Sequence, residues 1–208
     1  MEENKIDIIR PFGPSMAKFN VPLEILKILN DYVDQIVQDE KKSKNLDNGQ
    51  NLAGMVSQEF KIEVNILNSS GLLELLAKAV EKWIEHTESK KISKLDIIST
   101  WVVRQFKNEY NPTHYHGGHI SGVCYLKLPK DYGKTLQESK KKNYNGKLNF
   151  TDGRRSFNSA SQFIIEPKLG DFYLFPAYLM HSVYPFYGED ERRSLSFNAK
   201  IDQNIFEI

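Results

Sequence analysis

Three of the five histidines fall in one short stretch, HYHGGH, at positions 114, 116 and 119. Residues at i and i+2 of an extended strand point to the same side, so His114 and His116 can present both imidazoles to one ion. Neutral imidazole is a common ligand of transition-metal ions. The pair therefore predicts a metal site, and exposed imidazoles at a loop are the alternative. His119 would face away from His116, and we expect it outside the ligand set.

A third ligand must come from elsewhere in the chain, and His181 is the best candidate. It lies in FPAYLMHSVYPF, among aromatic residues that would keep a metal site dry. A histidine in such surroundings can also be an ordinary core residue, so the assignment depends on the side chains it meets. His86 falls at the predicted end of a helix, where positive charge is favourable, and we expect it to be exposed.

A second candidate site lies near the C-terminus, in ERRSLSFNAKI. A guanidinium binds a carboxylate through two parallel hydrogen bonds, and a hydroxyl two residues away can add a third. The segment therefore indicates an anion site at Arg192 and Ser194, and a solvated polar face is the alternative. Read as a strand, it places these polar side chains on one face: Arg192, Ser194, Ser196 and Asn198.

The first half of the chain carries two helical hydrophobic patterns. From about residue 21 to 40, apolar residues recur with a period near 3.6, which predicts an amphipathic helix. A second stripe runs from about 71 to 88, with Ser69 or Ser70 as its expected N-cap. The polar residues 40–50 between the two stripes predict a solvated loop.

The second half changes to a period of two, which is typical of strands. Short, evenly spaced strands favour a sandwich or a barrel. The Lys-rich stretch 131–147 is too polar for the core and predicts a long surface loop, which can also act as a lid when it lies beside a site. The predicted strands are residues 97–106, 120–128, 147–151, 162–166, 171–175, 181–184 and 192–201.

Composition limits the class of protein and of partner. The chain has 208 residues, 40% of them apolar, which is enough for one globular domain with a real core. Its net charge of +1 offers no strong attraction to nucleic acid or to an anionic membrane. No signal-peptide pattern opens the chain, and no apolar run approaches the ~18 residues that span a bilayer. The single cysteine, Cys124, fits a reducing compartment, so we expect a soluble, cytoplasmic protein.

In order and spacing, these pieces resemble the iron(II) and 2-oxoglutarate-dependent oxygenase superfamily. His181 follows His114 by 67 residues, and Arg192 follows His181 by 11. The sequence resembles a small bacterial and phage group of this superfamily in which HxH is followed by SGVYYL. The resemblance covers about residues 99 to 201 and lies in the segments HYHGGHISGVCYLKLP, GKLNFTDGRR, GDFYLFPAYLMHSVYP and ERRSLSFNAKI.

The resemblance implies a mainly β fold with N-terminal helices, of the α+β class. Its core would be a double-stranded β-helix, the cupin-like jelly roll, with the site between two sheets. Residues 1–208 would form a single oxygenase domain, in which a helical N-terminal part (1–96) packs on a jelly-roll core (97–208).

The resemblance also implies Fe(II) as cofactor and 2-oxoglutarate and O₂ as cosubstrates. In the superfamily the second metal ligand is usually a carboxylate, and His116 departs from that pattern. A neutral imidazole there leaves the iron with one more positive charge. The resemblance assigns the metal ligands His114, His116 and His181, and the cosubstrate-binding residues Arg192, Ser194 and Tyr125. For Tyr125 the alternative is a core tyrosine whose hydroxyl is already hydrogen-bonded.

The expected activity is hydroxylation of an unidentified small-molecule or protein substrate, with release of succinate and CO₂. Two alternatives stay open. Three histidines also suit a catalytic zinc ion, or iron that needs no cosubstrate, but these give Arg192 and Ser194 no role. A jelly roll can also be a binding module without catalysis. No motif in the sequence identifies the substrate or the oligomeric state.

Overall fold

A computed structural model describes residues 5–11, 13–153, 155–157 and 160–205. Arg154 of the GKLNFTDGRR segment and both ends of the expected 1–208 domain lie outside the described residues. The described helices are α1 (Leu23–Gln38), α2 (Glu40–Leu46), α3 (Val64–Ser69) and α4 (Leu72–Glu88). The strands are β1 (Asp7–Ile9), β2 (Met16–Asn20), β3 (Gln58–Lys61), β4 (Leu95–Gln105), β5 (Asn111–His114), β6 (Ile120–Lys127), β7 (Leu148–Thr151), β8 (Gln162–Ile165), β9 (Asp171–Pro176), β10 (Met180–Val183) and β11 (Arg192–Ile201).

The strands form two antiparallel sheets that pack face to face. The large sheet has the order β1-β2-β9-β6-β11-β4-β3, and the small sheet has the order β5-β10-β7-β8. Apolar side chains from both sheets fill the space between them. Among these are Tyr125 and Phe175 from the large sheet, and Phe150 and Val183 from the small one. The inner faces of the two sheets therefore enclose one interior, in which a site can be kept dry.

The helices α1 and α4 cover the outer face of the large sheet. Each presents its apolar stripe to a second core, with Leu29 of α1 and Leu76 of α4 fully buried there. The period-two pattern of β11 explains how one strand serves both cores. Its apolar residues, such as Leu195 and Phe197, face the helices, while Arg192 faces the interior between the sheets. Among the described residues, no helix is both long and apolar enough to cross a bilayer.

The predicted loop at residues 40–50 is wrong in part, because it contains the short helix α2. The Asp39 carboxylate accepts a hydrogen bond from the backbone N–H of Lys42 at 3.0 Å and so caps this helix. Ser43 Oγ donates to the carbonyl of Ile36 at the end of α1. None of the α2 residues is buried, so the helix has no apolar stripe from which it could be predicted.

The expected serine N-cap of α4 is also wrong, because Gly71 occupies that position. The chain ends the short helix α3 immediately before it and must turn sharply, and Gly71 takes a φ of 83° to do so. Ser70 Oγ is a distant acceptor for the backbone N–H of Leu72, at 3.4 Å.

The N-terminal part contributes strands as well as helices. β1, β2 and β3 complete the two edges of the large sheet. The division into a helical part, 1–96, and a core, 97–208, stays a prediction. In contrast, the irregular stretch predicted at 131–147 is confirmed, since it contains no helix or strand.

Candidate functional site

The structure brings three histidines together at one end of the small sheet. His114 of β5 and His181 of β10 are paired in register, and their ring centroids lie 4.3 Å apart. His116 lies beyond the end of β5, so its position does not come from strand alternation as expected. Its backbone N–H donates to the carbonyl of Ala177 at 2.8 Å, which turns the ring toward the other two. One ligand nitrogen from each histidine lies within 4.8 Å of the others.

In two of the three rings, a backbone carbonyl determines which nitrogen is free. His114 Nδ1 lies 2.7 Å from the carbonyl of Pro112, and His181 Nδ1 lies 2.8 Å from that of Leu179. A carbonyl can only accept, so each Nδ1 carries the proton and each Nε2 offers its lone pair. The Nε2 atoms of His116 and His181 are 3.1 Å apart. That is close to the spacing of adjacent ligands each about 2.0–2.1 Å from a metal ion.

All three imidazoles are neutral at neutral pH. Burial lowers the pKa of His181 to about 3 and that of His116 to about 4, and neighbouring histidines add to both shifts. Burial also lowers the pKa of His114. Aromatic rings of Phe175 and Phe150 pack against His181, with centroids at 5.0 and 5.6 Å. Three neutral imidazoles in a dry pocket are a donor set that fits a transition-metal ion such as Fe(II).

Arg192 provides a buried positive charge in the same interior. It is 2% exposed, and its Nη1 donates to Gln105 Oε1 at 3.1 Å. Its Nε has no hydrogen-bond partner, and no carboxylate of the described residues lies within 4.0 Å of its guanidinium. A buried cation without a counter-charge is costly, so Arg192 fits a site that awaits an anionic ligand. A solvated polar face, the alternative considered from the sequence, does not describe it.

Two tyrosine hydroxyls lie beside Arg192. The Tyr125 ring lies under the guanidinium, and its centroid is 5.0 Å from Arg192 Cζ. The buried Tyr125 hydroxyl has no hydrogen-bond partner among the described residues. Burial raises the pKa of Tyr125, so this hydroxyl stays protonated and can donate. Ser194 is paired in register with Tyr125 and lines the cavity. Tyr132, which the sequence analysis missed, comes from the long loop, and its hydroxyl is also buried without a partner.

The three histidines and Arg192 line one cavity of about 180 Å³. The same cavity is lined by Glu59 of β3 and Asn111 of β5, neither of which the sequence analysis singled out. The other two histidines lie elsewhere, as expected. His119 Nδ1 accepts from the backbone N–H of Ile201 at 3.1 Å, and His86 is exposed in the last turn of α4.

Comparison with known proteins finds a family that part of the chain resembles. Residues 99–198, just under half of the chain, match the family described as "Putative 2OG-Fe(II) oxygenase". A search of the curated proteins finds no match.

Solved structures with a similar fold extend over almost the whole chain. A Pseudomonas putida prolyl-4-hydroxylase is 14% identical over 89% of this chain and 93% of its own, with a TM-score of 0.57. The viral collagen prolyl hydroxylase of Paramecium bursaria Chlorella virus-1, solved with 2-oxoglutarate, is 15% identical over 88% and 94%, with a TM-score of 0.53. AviO1 from Streptomyces viridochromogenes is 10% identical over 91% and 90%, with a TM-score of 0.57.

These similarities confirm the jelly-roll fold that the sequence resemblance implied. The matched family segment contains the three clustered histidines and the buried arginine, His114, His116, His181 and Arg192. Residues 99–198 are thus similar to the 2OG-Fe(II) oxygenases, whose cofactor is Fe(II) and whose cosubstrates are 2-oxoglutarate and O₂.

Proposed function

We propose that the protein is an Fe(II)- and 2-oxoglutarate-dependent dioxygenase that hydroxylates a small-molecule or protein substrate. One observation carries the proposal: three neutral imidazoles and a buried arginine, which has no counter-charge among the described residues, line the same cavity. The first group suits a transition metal, and the second suits a carboxylate.

In this proposal His114, His116 and His181 hold the metal through one nitrogen each, and the backbone carbonyls on the Nδ1 atoms of His114 and His181 keep those rings oriented. With 2-oxoglutarate and O₂, bound iron supplies the oxidising power for inserting oxygen into a C–H bond, and succinate and CO₂ are released. The protein positions both reactants and excludes water.

Arg192 binds the distal carboxylate of 2-oxoglutarate in this assignment. Its unpartnered Nε and its Nη atoms match the two oxygens of a carboxylate, and Gln105 holds the guanidinium in place. Ser194 and the buried hydroxyl of Tyr125 add neutral donors to the same group. The cosubstrate would thus satisfy atoms that otherwise remain buried without partners.

His116 replaces the carboxylate that the superfamily usually places at the second ligand position. This substitution makes the metal site one unit more positive, and it is also compatible with a three-histidine zinc site that activates water. A zinc hydrolase would leave the uncompensated charge of Arg192 unexplained, and for this reason we favour the oxygenase.

The decisive experiment needs no substrate. The purified protein is loaded with Fe(II) without oxygen, 2-oxoglutarate is added, and the visible metal-to-ligand charge-transfer band of the chelated keto acid is recorded. We expect the band in the native protein and its loss in His181→Ala. His86→Ala is the matched control, because His86 is exposed on α4 and should leave the band intact. Iron binding without a band would contradict the proposal and favour zinc or cosubstrate-free chemistry.

A thermal melt tests whether the protein is a binding module that ignores metal. A metal at 100 times its dissociation constant stabilises the folded state by about 2.7 kcal/mol. We therefore expect Fe(II) to raise the melting temperature by several degrees and a chelator to reverse the effect. Equal melting temperatures with metal and with chelator would favour the non-catalytic module.

A further inference from the structure

The mouth of the cavity lies between the edges of the two sheets. β3 is the edge strand of the large sheet, and β5 is the edge strand of the small one. The backbones of Met55 and Tyr110 pair between these edges, with N···O distances of 2.9 and 3.3 Å. This pairing holds residues 51–54 across the cleft, where they line the cavity. Side chains from β3, β5 and this connection therefore surround whatever enters.

Glu59 of β3 is a carboxyl group without a partner at this mouth. It is 4% exposed and lines the cavity, and its carboxyl group makes no hydrogen bond or ion pair within the described part of the chain. Burial raises the pKa of this carboxyl group, and the nearby acidic groups of Asp47 and Glu109 add to the shift, which brings the pKa to about 7. A buried acid in such surroundings lowers the stability of the fold. Such a group is retained most readily where a ligand supplies the missing partner.

Asn111 of β5 points a second acceptor into the same space. Its Oδ1 is buried without a partner among the described residues. A Cβ placed on Gly54 would lie 2.6 Å from Asn111 Oδ1 and 2.6 Å from Glu59 Oε1. The two oxygens therefore converge above Gly54, and the absence of a side chain at this residue keeps the space between them open.

The cavity has an anionic end and a cationic end that do not neutralise each other. Glu59 lies on the edge strand β3 and Arg192 on β11, two strands further into the sheet, and the two form no ion pair although both line the cavity. If Arg192 takes the carboxylate of the cosubstrate, the acceptors at the other end remain unused. Two converging oxygens, one of them a carboxylate, match a positively charged group with several N–H donors.

We propose that the substrate carries a primary ammonium or a guanidinium group, which Glu59 and Asn111 bind at the mouth while the carbon to be oxidised faces the three histidines. The orientation toward the histidines rests on the proposed function, whereas the cation site does not need the metal. A lysine or arginine side chain, free or in a peptide, has this chemistry at the end of a chain slim enough for the cavity.

Binding of matched probes tests the inference. The probes are N-acetyl-lysine methylamide, N-acetyl-arginine methylamide and N-acetyl-norleucine methylamide, which has a similar chain without the charge. Their dissociation constants are measured by titration calorimetry on the full chain, both metal-free and loaded anaerobically with Fe(II) and 2-oxoglutarate. We expect one of the charged probes to bind at least about tenfold more tightly than the norleucine probe.

Three variants test which residues cause the preference for a charged probe. Glu59→Gln should remove the preference for the charged probe, and Gly54→Ala should weaken binding of that probe because its methyl group fills the space between the two oxygens. Glu81→Gln, which removes one exposed acid on α4, should bind as the native protein does. Equal binding of charged and uncharged probes, or a preference that survives Glu59→Gln, would overturn the inference. The charge-transfer band, recorded on the same samples, reports separately on the proposed function.

Discussion

Arg192 is held in place before any anion arrives, because Gln105 accepts from its Nη1 and the Tyr125 ring lies beneath it. A prepositioned guanidinium loses little freedom when it binds a carboxylate. Arg192→Ala should therefore weaken 2-oxoglutarate binding by about 30-fold or more, at about 2 kcal/mol for a charge-assisted hydrogen bond, without removing the metal. Arg192→Lys keeps the charge but cannot donate two parallel hydrogen bonds to a carboxylate, and we expect an intermediate affinity. The check is anaerobic titration of the charge-transfer band, and an unchanged midpoint in Arg192→Ala would contradict the assignment.

Glu59 should lower the stability of the fold once its carboxyl group is ionised. Its pKa is about 7 in the folded protein, because of burial and then of Asp47 and Glu109, against about 4.5 when unfolded. A raised carboxyl pKa means that stability is present below pH 4.5 and is lost as the pH rises through about 7. Glu59→Gln does not titrate, so at pH 8 it should be more stable than the native protein by about 1–2 kcal/mol, with the advantage shrinking toward pH 5. Urea unfolding at both pH values measures this, and a destabilised variant at pH 8 would show that Glu59 has a stabilising partner.

Individual site residues can be predicted from the sequence when their type differs from that of their neighbours. His114, His181 and Arg192 are polar residues in segments whose period or composition is that of strands, so the pattern itself marks them. Glu59 is one of two charged residues in a strand of four, and nothing in its spacing distinguishes it from a solvated residue. Its burial arises from packing between the sheet edges, which no local pattern encodes.

At the scale of elements, the irregular stretch 131–147 contributes one side chain, Tyr132, to the surroundings of Arg192. The Tyr132 ring packs edge to face on Phe186, with centroids 5.6 Å apart, and against Gly146 near the other end of the stretch. The Tyr132 hydroxyl is buried without a partner, and the charge of Arg192 acts on it. This arrangement places a loop residue where it can add a hydrogen bond to the ligand of Arg192.

Tyr132→Phe separates this hydrogen bond from the packing of the ring. A neutral hydrogen bond contributes about 0.5–1.5 kcal/mol, so 2-oxoglutarate affinity should fall about two- to tenfold while the melting temperature stays unchanged. Tyr144→Phe is the matched control, since Tyr144 lies in the same loop and stacks on Tyr184 instead. Titration of the charge-transfer band checks the prediction, which fails if both variants bind 2-oxoglutarate equally well.

Elements with a strong periodic pattern were predictable, whereas the short edge strands β3 and β5 were not. The stripes of α1 and α4 and the alternation in β6, β9 and β11 follow from burial on one face or between two layers. By contrast, β3 and β5 have four residues each and lie at sheet edges, where partners distant in sequence define them. These two edge strands form the mouth of the cavity, where we propose that the substrate binds. The structure of this part of the site could therefore not be predicted from the local sequence pattern.

At the scale of the whole molecule, one buried carboxylate links the helical layer to the large sheet. Glu191, just before β11, accepts hydrogen bonds from Arg104 of β4, with its closest contact at 2.6 Å, and from Arg193 of β11, with its closest contact at 2.7 Å. Arg193 continues the network to Asp34 of α1 at 2.7 Å. Burial alone would raise the pKa of Glu191, but the hydrogen bonds from the two arginines outweigh it and hold the pKa at about 2.

This network predicts how the protein responds to acid. A depressed carboxylate pKa contributes stability above the unfolded value of about 4.5, and the contribution is lost as the pH falls toward about 2. We expect Glu191 to account for about 2–3 kcal/mol of the stability lost over this interval. Glu191→Gln should be less stable than the native protein at pH 7 yet lose less stability between pH 5 and pH 2.5 in urea titrations. Glu81→Gln, exposed on α4, should follow the native profile, whereas parallel curves for Glu191→Gln and the native protein would mean that the network does not join the two layers energetically.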